Sequence, residues 1–124
     1  MHCRERSRRT LKRRNYPPFY PRGILEGITR RTVMGLMRDD LGLEVVERSI
    51  DRTEIYLAEE AFFCGTGVQI AAITRVDHRP VGNGRIGPVA ADLRRLYFSV
   101  VRGQVKKYID WCAPVYQPTE PLIR

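Results

Sequence analysis

Between residues 28 and 41, apolar and charged positions alternate with a helical period. Val33, Leu36, Met37 and Leu41 stand at i, i+3, i+4 and i+8, with Arg30, Arg31, Arg38, Asp39 and Asp40 between them. One apolar stripe of this kind predicts an amphipathic helix that starts after Gly27 and is stopped by Gly42. The stretch "LEVVERSI" (43–50) then reads as a short strand, with Val46 and Ile50 among its apolar residues. Asp51 caps a brief helix over "RTEIYLA", and Glu54, three residues on, completes a capping box. "EEAFFCGTGVQIAAITRV" (59–76) is the most apolar segment, β-rich and broken at Gly65-Thr66-Gly67. "DHRP" and "VGNGRIG" are turns. Gly87-Pro88 opens a second long helix, with Val89, Leu93, Leu96, Tyr97, Val100 and Val101 on one face and Gly103 at its end. The tail, ending "APVYQPTEPLIR", reads as extended. The alternation of helices and strands, with no internal repeat, places the chain in the α/β or α+β class.

Residues 1–22 do not belong to this pattern. They hold almost no aliphatic residues, and Pro17, Pro18 and Pro21 forbid regular structure there, so this head reads as disordered or extended. It carries eight of the 22 Lys/Arg and one of the 14 Asp/Glu, so about +7 of the net +8 lies in it. A basic arm can attract nucleic acid or an anionic surface, although a solvated segment without that role is the simpler reading. The chain therefore divides into a basic head, 1–22, and a single domain, 23–124. No run of about 18 apolar residues exists, so no transmembrane helix is expected. The basic N-terminus has no apolar stretch behind it and does not resemble a secretory signal. Cys3, Cys64 and Cys112 are widely spaced and odd in number, which fits reduced thiols in the cytoplasm. No cysteine or histidine pair has metal-ligand spacing.

Two threonines framed by glycine carry the candidate chemistry: Thr29 in "EGITR" and Thr66 in "CGTG". The first N–H groups of a helix have no internal partner and the helix dipole is positive there, so a phosphate is favoured. Gly27 lets the backbone come close to such an anion, and Thr29 adds a hydroxyl donor. Thr66 sits at a break between two β segments, where N–H groups can also converge on an anion. By spacing alone, Gly-x-Thr at a helix start is more often a simple cap. His78 reads as an exposed turn residue, Cys64 as a small buried hydrophobe and Trp111 as core or interface. Asp39-Asp40 and Glu59-Glu60, adjacent in sequence, face different ways and imply no acid/base pair.

"GILEGITRRTVM", "VVERSIDRTEIYLAEEAFFCGTG" and "ITRVDHRPVGNGRIGPV" closely resemble the C-terminal part of branched-chain amino acid aminotransferases. These are class IV enzymes of fold type IV that use pyridoxal 5′-phosphate (PLP), and the likeness runs from about Gly23 to Arg102. The resemblance implies the C-terminal part of their large domain, with mixed strands and flanking helices. It implies cofactor binding by Leu25, Gly27, Ile28, Thr29 and Thr66: Leu25 against the ring, the others around the phosphate. Gly67 and Val68 would receive the substrate carboxylate. It further implies transfer of an amino group from leucine, isoleucine or valine to 2-oxoglutarate, in a cytoplasmic homodimer. A D-amino acid aminotransferase or an aminodeoxychorismate lyase is the alternative within the family, and a basic-arm nucleic-acid binder the alternative outside it.

The sequence departs from the family in two places. After Thr66 it reads "GVQIAAI" where many members have Ala-Ala-Glu-Ile-Thr-Pro-Val, which leaves the backbone donors but alters the pocket wall. Upstream, where the family has Gly-Ser-Gly-Glu-Asn and a hydrophobic strand, this chain has "CRERSRRTLKRRNYPPFYPR". The catalytic lysine and the glutamate that binds the pyridine nitrogen precede the matched region. The expectation is a truncated, inactive fragment with an out-of-frame or fused head, no catalytic residue of its own and PLP binding weak or absent.

Overall fold

The computed structural model describes residues 27–115 and the backbone of residues 2–4. A three-stranded antiparallel sheet forms the centre, in the order β1 (His2–Arg4), β2 (Glu60–Gly65), β3 (Gln69–Ile73). β2 is central: Cys3 opposes Ala61 on one side and Phe63 opposes Ala71 on the other. The pairing of Gly65 with Gln69 makes Thr66–Val68 a three-residue hairpin loop, closed by Gln69 at φ +56°. The sequence-level break at Gly65-Thr66-Gly67 is thus a hairpin turn.

Two helices cover one face of this sheet. α1 (Ile28–Asp39) and α3 (Pro88–Val101) present Val33, Leu36 and Met37, and Ala90, Leu93, Tyr97 and Val100, to Phe62 and Ile70 of the strands. Val33, Leu36 and Leu93 are fully enclosed, so truncating any one removes packed atoms from the centre of the core. The helical stripe behaves as its spacing predicts, except that Leu41 is half-buried beyond the helix end and Val101 is 48% exposed. Val101 is the last residue of α3. The other sheet face is thinner. Ala61 meets Ala58 and Val81, with Ile73 and Val76 at its edge. β4 (Arg75–Val76) and β5 (Arg79–Pro80) form a separate small ribbon around the Asp77-His78 turn.

Both long helices end as their glycines suggest. Gly42 at φ +61° lets the Leu43 N–H reach the Met37 carbonyl at 2.9 Å, and Gly103 at φ +68° lets Gln104 reach Ser99 at 2.9 Å. α2 (Arg52–Leu57) carries the expected capping box. The Asp51 carboxylate accepts from Thr53 N–H at 2.9 Å, and Glu54 accepts from Asp51 N–H at 3.0 Å.

Two expectations fail. Residues 43–50 are not a strand. Leu43 and Val45 do pack inward on the core while Glu44 and Val46 point outward, so the period-two alternation is present. The segment runs back along α1 instead of beside another strand, and without a ladder partner no strand forms. The tail is not extended throughout, because Lys106–Trp111 form a 3₁₀ helix that buries Tyr108. Tyr108 donates its hydroxyl to Asp40 at the end of α1, and that tie, with Trp111 stacked at 4.4 Å, winds the segment. Residues 116–124 lie outside the described residues.

Candidate functional site: an open helix start and a hairpin turn

α1 and α3 both begin at a glycine, yet the two starts differ. At α3 the N-cap Gly87 has no side chain to offer, and Pro88 takes the first helical position. Glu60 of β2 fills the gap: its carboxylate accepts from Val89 N–H at 3.2 Å and Ala90 N–H at 2.8 Å. A Cβ on Gly87 would lie 2.1–2.4 Å from the Glu60 side chain, so glycine is what lets the carboxylate in. This start is a satisfied structural cap, and the sequence reading missed Glu60. The signal available was a Gly-Pro helix start lacking any Ser, Thr, Asp or Asn to cap it.

At α1 no side chain among the described residues takes that role. Gly27 is the N-cap, without a side-chain cap bond, and the ladder begins only with Arg31 N–H on the Gly27 carbonyl at 3.1 Å. The N–H groups of Ile28, Thr29 and Arg30 precede it. Gly27 has φ −71° and ψ 149°, an ordinary extended conformation, so its backbone does not require glycine. A Cβ there would meet nothing within 4 Å, and Ile28 beside it is 85% exposed. Among the described residues nothing covers this helix start, which leaves its main chain open to a ligand.

The hairpin loop offers a second open backbone. Thr66, Gly67 and Val68 are all exposed, and a Cβ on Gly67 would also meet nothing within 4 Å. Cys64 precedes this loop, half-buried against the core rather than fully buried as expected. Burial pushes its thiol up, while the Arg30 guanidinium in the first turn of α1 draws it down. α1 packs on β2 through Val33, Leu36 and Met37 against Phe62, and Cys64 lies against the same core. Arg30 donates to Glu47 at 3.0 Å. Of the residues singled out, Gly27, Ile28 and Thr29 stand at the α1 start and Thr66, Gly67 and Val68 form the hairpin loop, while Leu25 lies outside the described residues.

These groups suit a phosphate and a carboxylate, since both anions are held by backbone N–H and hydroxyl donors. They do not suit covalent attachment of an aldehyde cofactor. The two lysines among the described residues, Lys106 and Lys107, sit on the 3₁₀ helix, and both are exposed. Hydrogen bonds to Tyr108 and Asp40 push the Lys107 ammonium above its ordinary range, with Asp40 Oδ1 at 3.2 Å. His78 is exposed in its turn, and Trp111 is 55% exposed. Among the described residues no group of three or more metal-binding side chains forms, and no helix is long and apolar enough to cross a membrane.

Comparison with known proteins gives these features a family. The amino-transferase class IV family matches residues 12–76. A protein of Aquifex aeolicus described as "Probable branched-chain-amino-acid aminotransferase" is 45% identical over 93 residues, covering 75% of this chain and 30% of that protein. The branched-chain-amino-acid aminotransferase of Pseudomonas aeruginosa is 42% identical over 87 residues, 70% of this chain and 28% of its own length. The PLP-form crystal structure of the branched-chain amino acid aminotransferase from Thermobaculum terrenum superposes with a TM-score of 0.73 at 49% identity, over 77% of this chain and 31% of that one. The chain thus spans about 30% of the length of these relatives. Mixed strands with flanking helices, as the resemblance implied, form one part of a larger fold, and this chain belongs to the amino-transferase class IV family.

Proposed function

We propose that the chain provides the anion-binding end of a branched-chain amino acid aminotransferase that works with PLP. The carrying observation is the contrast between the two glycine-led helices: Glu60 fills the α3 start, and the α1 start is left open. The N–H groups of Ile28 and Thr29 and the Thr29 hydroxyl donate to the cofactor phosphate, with Gly27 giving it room and Thr66 adding a donor from the hairpin loop. Gly67 and Val68 hold the substrate carboxylate, and Leu25 backs the ring. The bound cofactor supplies the electron sink for amino-group transfer, and the protein supplies position and charge. The substrates are leucine, isoleucine and valine, with 2-oxoglutarate as acceptor; the names of the relatives favour these over D-amino acids or aminodeoxychorismate. A cytoplasmic homodimer belongs to the same proposal.

The chain as it stands does not complete the reaction. It contains three lysines, Lys12, Lys106 and Lys107. A lysine that bonds the cofactor must offer a neutral amine near neutral pH, which requires burial or a neighbouring cation. Lys107 has the opposite surroundings. The lysine and the carboxylate for the pyridine nitrogen precede the matched region in the family and are not among these residues.

Titration with inorganic phosphate and with PLP, followed by amide NMR, tests the reading. The signals of Gly27, Thr29, Thr66 and Gly67 should move first, and Thr29→Val with Thr66→Val should abolish the response. A response confined to residues 1–22 would show plain attraction to the arginine-rich head and refute the site.

A further inference from the structure

Resting on that reading of the α1 end, we propose that Arg30 and Glu47 form a charge-setting pair for it. Arg30 is a positioning cation at the helix start, and Glu47 holds it and limits the charge it lends to a bound anion.

The fold builds this pair from two directions. Arg30 is the third residue of α1, in the turn where the helix dipole is positive, and its side chain is only 21% exposed. Glu47 arrives on the segment that is not a strand. That segment leaves the end of α1 with Leu43 N–H on the Met37 carbonyl, and Leu43 and Val45 anchor it to the core. Glu47 then reaches Arg30 at 3.0 Å and stands 4.0 Å from Arg38. The lengths agree: Arg30 to Met37 spans about 10 Å of helix, and Leu43 to Glu47 about 13 Å of extended chain. The extended alternation at 43–47 therefore has a use, which is to return a carboxylate from the far end of the helix to its first turn.

A carboxylate here opposes anion binding, because an incoming phosphate must share the guanidinium with it. Glu47 is 42% exposed, so it can turn toward water while Arg30 turns to the anion. The pair keeps Arg30 aimed and the site near neutral until an anion arrives. The Arg30 charge also reaches the Cys64 thiol, which precedes the hairpin loop, and draws it down against the upward push of burial.

The test measures binding of inorganic phosphate and PLP by amide NMR on the full chain at ~0.01 M and ~1 M salt, where the screening length falls from about 30 Å to about 3 Å. At low salt Arg30→Gln should weaken binding about five- to tenfold, Glu47→Gln should tighten it about two- to threefold, and Arg30→Lys should keep most of it. Both charge effects should shrink at high salt. Arg95→Gln, on the outer face of α3, controls for net charge and should change binding less than twofold. Residue-resolved titration of Cys64 gives a second readout without any ligand: its thiol should titrate higher in Arg30→Gln and lower in Glu47→Gln. Equal effects of Arg30→Gln and Arg95→Gln, or an unmoved Cys64, would overturn the pair. A wild-type chain whose Thr29 amide ignores phosphate while Cys64 responds as expected would instead refute the anion site and leave the charge placement standing.

Discussion

Removing the Glu60 carboxylate and filling the space at Gly87 should cost nearly the same stability, and together they should cost little more than either alone. Glu60 accepts two N–H groups at the start of α3, at 3.2 and 2.8 Å, in a part-buried setting. Each bond to a charged acceptor contributes about 1 kcal/mol where water reaches the site, and the charge on the helix dipole adds roughly 0.5–1 kcal/mol. Glu60→Ala should therefore lose about 2–3 kcal/mol. Glu60→Gln keeps one acceptor oxygen and loses the charge, so about 1–2 kcal/mol is expected.

Gly87→Ala acts on the same contact from the other side. Its Cβ would fall 2.1 Å from the Glu60 carboxyl carbon and 2.3 Å from its Cγ. Those atoms are the far end of a flexible side chain, so Glu60 gives way rather than the helix, and the cap is lost. The expected cost is again about 2–3 kcal/mol, which for a domain of this size is roughly 8–20 °C in Tm. In the Glu60→Ala background nothing remains to clash, and Gly87→Ala should be close to neutral. A double-mutant cycle by urea denaturation, followed by far-UV circular dichroism, reads the coupling as about 2 kcal/mol. Additive losses would refute the reasoning and mean that Gly87 and Glu60 act through separate contacts.

Four further outcomes follow from the same structure. Gly82→Ala should destabilise more than Gly87→Ala, because its Cβ would lie 2.2 Å from the Glu59 backbone oxygen at φ +56°, where no side chain can move aside; denaturation midpoints compare the two. The Glu54 carboxyl is held down to about 2, first by its hydrogen bond from Arg48 and then by Asp51 N–H, so its contribution is full above its ordinary value of 4.5 and lost as pH falls toward 2. Side-chain NMR titration should show that midpoint, and Arg48→Gln should raise it. The Cys64 thiol, pushed up by burial, should react with alkylating reagents only slowly at neutral pH, and mass spectrometry of the labelled site measures this. Leucine with 2-oxoglutarate and PLP should give no turnover above free cofactor, and borohydride trapping of PLP on one lysine with turnover would overturn that expectation.

Much of the fold is legible because its signals are local. The α1 stripe, the α2 capping box, the hairpin break at Gly65–Gly67 and the Gly-Pro start of α3 depend on neighbours a few residues away, and each forms as read. What escaped depends on partners far along the chain. Glu60 caps a helix 29 and 30 residues on, Tyr108 meets Asp40 across 68 residues, and Glu47 meets Arg30 across 17. The strand expected at 43–50 shows the limit most plainly. Alternation fixes which side chains face inward, but a strand also needs a second backbone to pair with, and no pattern within eight residues carries that information.

The two glycine starts show why the candidate site was half legible. Sequence marks both Gly27 and Gly87 as places where a helix begins without a capping side chain, and from the pattern alone either could hold an anion. The difference lies in what the rest of the chain brings. Glu60 supplies the anion for α3 from within, and a satisfied cap has no donors left to lend. Among the described residues no side chain caps the α1 backbone, and the Glu47 carboxylate is paired with the Arg30 side chain. Binding and bond-making therefore separate in this chain. Holding a phosphate needs only main-chain donors and space, which is the role proposed for Gly27–Thr29, whereas bonding the cofactor needs a lysine kept neutral. Lys107, made more basic by Tyr108 and Asp40, cannot be that residue, whatever anion the helix start retains.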